Sequence, residues 1–183
     1  MKKVLTFDKL RFAAECRRLE AAVVASGFVP DVVLGIESGG RYVAELIFDG
    51  VEHCYVSLRR PGTAAKQGAL TKVLRRMPRF VNDALRLAES WVLSRRAPRP
   101  AGFHGCLPEG LDGKQAILIV DDAVDSGSTM LSVRDAVAAA FPQAYVRCAA
   151  IAVTTDKPLI VPDYSLYLKN FLIRFPWSAD MKK

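Results

Sequence analysis

An α/β domain with a central, mostly parallel sheet flanked by helices is the fold class that this 183-residue sequence predicts, and three observations predict it. The runs Val32-Val33-Leu34-Gly35-Ile36 and Ala116-Ile117-Leu118-Ile119-Val120 are short, apolar and rich in β-branched residues, without polar alternation. Such runs read as strands buried on both faces. Each then passes through a Gly- and Ser-containing turn into a stretch of helical period, at 42–48 and 130–141. Two further β-rich stretches, 51–58 and 145–154, complete an alternation of strands and helices that closes as a parallel sheet covered on its faces.

Composition sets the bounds. Hydrophobic residues make up 51% and charged residues 25%, the balance of a globular chain that forms one domain with a sizeable core. No segment approaches the roughly 20 apolar residues of a membrane span, and the Met-Lys-Lys start leads into no signal-peptide core. A cytoplasmic location is the expectation. Cys16, Cys54, Cys106 and Cys148 are widely spread and have no zinc-type spacing, so reduced thiols are expected. His53 and His104 stand isolated and read as structural or surface groups. The net charge of +7 is unevenly placed: eleven basic residues between Arg59 and Arg99 face only Asp83 and Glu89. The basic excess therefore belongs to one segment and not to the fold as a whole.

In chain order, 7–26 reads as an amphipathic helix with Leu10, Ala13, Ala14, Leu19, Ala22 and Val23 on its apolar side, ended by Gly27. After the strand at 32–36 comes the turn Glu37-Ser38-Gly39-Gly40-Arg41, which by itself marks any tight strand-to-helix connection. The strand at 51–58 delivers Arg59-Arg60-Pro61-Gly62-Thr63-Ala64-Ala65-Lys66-Gln67-Gly68. Two arginines and a lysine in a Gly/Ala-rich segment suit either a loop that closes over an anion or a solvated basic loop. From about 69 to 105 lies an insertion whose stretch 68–97 repeats apolar residues at three- and four-residue steps, with a break at Pro78 and a Pro-rich linker at 97–102. It reads as one or two amphipathic helices packed on the core or on a second subunit; an anionic membrane or a nucleic acid is the other reading.

The chain is organised around Val120-Asp121-Asp122-Ala123-Val124-Asp125-Ser126-Gly127-Ser128-Thr129. Amide groups and hydroxyls of 126–129, at the positive end of the following helix, make an anion site. Asp121 and Asp122, at the carboxyl end of a buried strand, suit vicinal hydroxyls or a hydrated Mg2+. The combined demand is that of a ribose 5-phosphate.

This stretch resembles the phosphoribosyl-pyrophosphate (PRPP) binding motif of the type I phosphoribosyltransferases, with Ser126 where the commonest form has Thr. The resemblance implies that Asp121 and Asp122 hold the ribose hydroxyls and, directly or indirectly, Mg2+, while Asp125, Ser126, Gly127, Ser128 and Thr129 wrap the 5-phosphate. The stretch from Gly35 to Gly40 resembles the family's pyrophosphate turn, which implies Ser38, Gly39, Gly40 and Arg41 as pyrophosphate contacts. Arg59, Arg60 and Lys66 are similar to the Arg-Lys pair and flexible-loop lysine of adenine and orotate phosphoribosyltransferases. The last stretch, with Lys157, Phe171, Leu172 and the pair Pro176-Trp177, resembles the base-enclosing hood of bacterial xanthine-guanine phosphoribosyltransferases; a hairpin packed only for stability is the alternative.

By that resemblance the fold is type I phosphoribosyltransferase-like, with a hood built from the chain ends and a basic helical insertion. The implied reaction transfers ribose 5-phosphate from PRPP to a nucleobase, a purine before others, with Mg2+ as cofactor and Asp125 taking the proton of the base. A homo-oligomer, a dimer before others, is the expected assembly. A second reading keeps the fold without the catalysis: a regulator that senses PRPP or a nucleotide and binds a macromolecule through its basic insertion.

Overall fold

A computed structural model describes residues 3–58, 102–168 and 171–178. Within them strands β1 (Lys3–Thr6), β2 (Val32–Ile36), β3 (Glu52–Val56), β4 (Ala116–Val124), β5 (Tyr145–Val153), β6 (Tyr164–Leu168) and β7 (Phe171–Arg174) alternate with helices α1 (Lys9–Ala25), α2 (Gly39–Ala44) and α3 (Ser128–Ala140). Five strands form one sheet in the order β3-β2-β4-β5-β6, every neighbouring pair parallel.

Side-chain alternation along β4 divides the interior into two layers. Leu118 and Val120 join a cluster with Phe12, Leu19 and Val23 of α1 and Val43 and Ala44 of α2. Ile117 and Ile119 join the opposite cluster with Met130, Val133 and Val137 of α3. Both faces of the sheet are thus covered, which is why β2 and β4 show continuous apolar runs. The chain leaves β2 for α2 on one face and β4 for α3 on the other. Between these two strands the winding direction reverses, the place at whose carboxyl ends open α/β sheets bind ligands.

Both ends of the described chain meet in a second, two-stranded sheet, where β1 runs parallel to β7. This pairing matches the hood expected from the chain ends. It packs on α1 through an aromatic cluster: Phe7 meets Phe175 at 6.1 Å and Tyr167 at 5.7 Å, and Phe12 meets Trp177 at 4.9 Å.

Several sequence expectations need correction. The buried face of α1 carries Phe12, Cys16, Leu19 and Val23, whereas Leu10 is 84% exposed and Ala14 and Ala22 are exposed. The face is chosen by the aromatic cluster from the far end of the chain, which outweighs the smaller alanines. Helix α1 starts after Asp8, whose carboxylate accepts from the Arg11 amide at 2.8 Å, and ends ahead of Gly27, whose φ of +82° suits the turn. Helix α2 begins at Gly39 and stops at Ala44, so Gly39, Gly40 and Arg41 lie within it and not in the turn before a helix at 42–48. Strand β4 does not end at the carboxylates but continues to Val124, because β5 keeps pairing with it to Val153. Helix α3 opens at Ser128, two residues before the expected start at 130. The four cysteines are free, with Cys16, Cys54 and Cys148 buried and Cys106 exposed. Arg59, Arg60, Lys66 and nearly all of the 69–105 insertion lie outside the described residues.

Candidate active site

Strand β4 is paired with β2 only as far as Gly35 and Val120, and with β5 as far as Val124. Asp121 and Asp122 therefore occupy the stretch where β2 has already turned away. The space beside them is taken by the start of α2. A Cβ added to Gly39 would lie 2.2–2.3 Å from the Asp122 carboxylate, and one added to Gly40 would lie 2.3 Å from the Val120 carbonyl oxygen. Only glycine lets the two strand-to-helix connections approach so closely. Two motifs far apart in sequence are fused into one surface by this contact.

The carboxylate pair is electrostatically costly. Burial, reinforced by the charge of Asp122, pushes the Asp121 carboxyl well above its usual range. Burial also raises Asp122, against the opposing effect of hydrogen bonds from Asp121 and from the Ala123 amide. The amide of Asp122 donates to Asp121 Oδ1 at 2.9 Å, and the amide of Ala123 to Asp122 Oδ1 at 2.8 Å. Hydroxyl donors or a cation set against this pair relieve its charge.

The following turn gathers amides and hydroxyls at the start of α3. Gly127, at φ +76°, caps α3, and a Cβ there would press to 2.9 Å of the Ile160 amide nitrogen. The Ser128 amide donates to Ser126 Oγ at 3.3 Å, and the Leu159 amide to the Ser126 carbonyl at 2.8 Å. Asp125 and Ser126 are exposed, while Ser128 and Thr129 are half-buried at the start of the helix. The side chain of Asp125 accepts a hydrogen bond from Thr154, which is 8% exposed at the carboxyl end of β5.

Around this centre, the exposed Ser38 precedes α2 as its N-cap, after a cis Glu37–Ser38 peptide. The Arg41 guanidinium is held by Glu45 at 2.9 Å and Glu37 at 3.6 Å, over the ring of Tyr55. Lys157 is exposed on the connection after β5 that also carries Leu159. Phe171 sets its ring edge against Tyr167 at 5.5 Å, and Leu172 is 9% exposed opposite Val4. Trp177 stacks on Tyr42 at 4.4 Å and on Phe175 at 5.0 Å, so its ring is engaged by protein aromatics. Neither Thr154 nor Tyr42 stands in a sequence motif that marks it as functional. Each follows a recognised feature, the β-rich stretch that forms β5 in one case and Arg41 in the other, but only packing reveals its partner.

Mg2+ binds through one or two carboxylates together with substrate phosphates, keeping several waters. Two adjacent carboxylates beside an anion turn fit that donor set. Among the described residues no cluster of three or more His, Cys, Asp or Glu side chains forms a larger cation cage.

The sequence profile of the phosphoribosyl transferase domain matches residues 7–179. In fold the chain is similar to the purine phosphoribosyltransferase of Pyrococcus horikoshii Ot3, with a TM-score of 0.58 and 19% identity over 96% of this chain and 94% of that one. It is similar to the xanthine-guanine-hypoxanthine phosphoribosyltransferase of Helicobacter pylori, with a TM-score of 0.65 and 15% identity over 97% and 96%. A hypothetical protein of Neisseria gonorrhoeae with bound ppGpp gives a TM-score of 0.60 and 16% identity over 97% and 90%. Among curated proteins none matches this chain in sequence.

Proposed function

Since the chain belongs to the phosphoribosyl transferase family, and is by family and fold a phosphoribosyltransferase, we propose that it transfers ribose 5-phosphate from PRPP to a ring nitrogen of a purine base, releasing pyrophosphate. The observation that carries this reading is the seating of Gly39 and Gly40 directly on the Asp121–Asp122 stretch. On this reading the carboxylate pair would take the ribose diol, between a turn suited to pyrophosphate and the Asp125–Thr129 turn suited to the 5-phosphate. A diphosphorylated ribose needs those three subsites side by side.

In the proposed reaction the bond between ribose C1 and the pyrophosphate oxygen breaks, and its electron pair leaves with pyrophosphate. The C1–N bond to the base forms, and the ring-nitrogen proton passes to the Asp125 carboxylate. Positive charge grows on the sugar and negative charge on the leaving group, so preorganised charges supply most of the acceleration. Arg59, Arg60 and Lys66, with Arg41, are the proposed cations for the leaving group. Asp121 and Asp122 would hold Mg2+ directly or through water; bound there, it supplies charge neutralisation to the pyrophosphate and orients the ribose hydroxyls. Support for a purine comes from the purine acceptors named for two structural relatives. The proposed enzyme works as a homodimer in the cytoplasm; among the described residues no helix is long and apolar enough to cross a membrane.

The test is pyrophosphate release from PRPP and Mg2+ with guanine, xanthine, hypoxanthine, adenine, uracil and orotate offered separately. Turnover with a purine is the expected result. The guanosine tetraphosphate on the Neisseria relative favours a second reading, a regulator whose ribose-phosphate site takes a nucleotide without turnover and whose basic insertion binds a macromolecule. Silence with every base, with PRPP and ppGpp still competing for the site, would select it.

A further inference from the structure

The segment after β5 clasps the phosphate turn. The Thr154 amide donates to the Val124 carbonyl at 3.0 Å, and the Leu159 amide donates to the Ser126 carbonyl at 2.8 Å. Between these two backbone bonds, the Thr154 hydroxyl donates to Asp125 Oδ1. Thr154 is 8% exposed and begins where the last β4–β5 rung, Val124 with Val153, ends. Asp125 is exposed and lies one residue beyond the strand. An exposed carboxylate on a turn samples several rotamers, and ordering it during reaction costs entropy. A buried hydroxyl carried by the residue just past the end of β5 removes that cost beforehand.

We propose that Thr154 is a positioning residue that holds Asp125 in the orientation in which its carboxylate takes the proton of the base, an inference that rests on the transferase reading above. The hydroxyl binds one carboxylate oxygen and directs the other toward the reacting ring. Thr154 touches neither substrate in this scheme; it acts through Asp125.

Valine is nearly isosteric with threonine and suits a buried strand end, so Thr154→Val removes the donor while conserving volume. Turnover of the preferred base is compared for wild type, Thr154→Val and Thr154→Ser, each also in an Asp125→Asn background. Thr154→Val lowers kcat about tenfold, part of the 10²–10⁴ that a positioned base contributes. Its KM for PRPP stays within about twofold, because the interaction matters to proton transfer and not to donor binding. Thr154→Ser keeps most of the activity. In the Asp125→Asn background Thr154→Val has no further effect, a non-additivity that a merely structural role would not produce. Should Thr154→Val not fold, Thr154→Ala supplies the donorless variant in the same two backgrounds. Equal losses in both backgrounds, or loss in Thr154→Ser as deep as in Thr154→Val, overturn the inference and leave the transferase reading standing. A wild-type protein without turnover on any base overturns both.

Discussion

Gly39 and Gly40 are adjacent, both buried, and both crowded against β4, yet alanine at the two positions should have opposite consequences. At Gly40 the new Cβ would sit 2.3 Å from the Val120 oxygen and 3.0 Å from the Asp121 Cα. An ordinary C···O contact is about 3.3–3.6 Å, so roughly 1 Å of overlap must be relieved. The obstacle is backbone of a strand held on both sides by β2 and β5 at Val120, and it cannot rotate away. Helix α2 must lift instead, loosening Val43 and Ala44 from the core. Overpacking of this kind costs about 3 kcal/mol, offset by about 1 kcal/mol from the better helix propensity of alanine. The net loss of about 2 kcal/mol corresponds to a fall of roughly 4–8 °C in Tm for a chain of this size.

At Gly39 the obstacle is the carboxylate end of Asp122, 2.2–2.3 Å away, which can swing aside. Stability then changes by less than about 1 kcal/mol, since propensity compensates for the displaced group. The carboxylate no longer stands where the ribose hydroxyls need it, and PRPP affinity drops by about tenfold or more, the loss of one charge-assisted hydrogen bond. Thermal unfolding without ligand, paired with titration calorimetry using PRPP and Mg2+, reads both quantities. Comparable destabilisation in Gly39→Ala and Gly40→Ala, or undiminished PRPP affinity in Gly39→Ala, would refute the reasoning.

Three further outcomes are expected. Asp121→Asn combined with Asp122→Asn should abolish PRPP binding and raise the Tm of the ligand-free protein at neutral pH: the folded carboxyls lie above their unfolded values, so their penalty appears as pH rises through that interval. A variant no more stable than wild type at pH 7, or one that still binds PRPP, would contradict this. Asp31 behaves oppositely, because hydrogen bonds from the Ala116 and Gln115 amides hold its carboxylate below its ordinary value. Its contribution is present above the unfolded pKa and lost as pH falls through the folded one, so Asp31→Asn should lower Tm at pH 7 and flatten the acid side of the stability profile; a profile parallel to wild type would count against it. Thiol titration should label Cys106 in the native protein, while Cys16 and Cys148, whose thiols burial pushes up to about 12, react only on unfolding. Rapid labelling of either buried thiol in the folded state would refute that packing.

The strands that form the centre of the sheet were legible because burial on both faces leaves a local signature, an unbroken apolar run, in β2 and β4. The Asp121–Thr129 motif was legible for a related reason: carboxylates, glycine and hydroxyls occupy consecutive positions, so one strand-turn-helix unit displays its whole chemistry. β1 and β6 were not, since four or five half-exposed residues carry no period strong enough to distinguish them from loop. Sequence alone determined the strand-turn-helix units and the residue types offered at their ends. Tertiary structure decided what those ends face: that Gly39 abuts Asp122, that Thr154 holds Asp125, and that Trp177 stacks on Tyr42. Each of those contacts joins separate elements whose adjacency follows from strand order and from packing on α1. Neither is written in any local stretch of the chain.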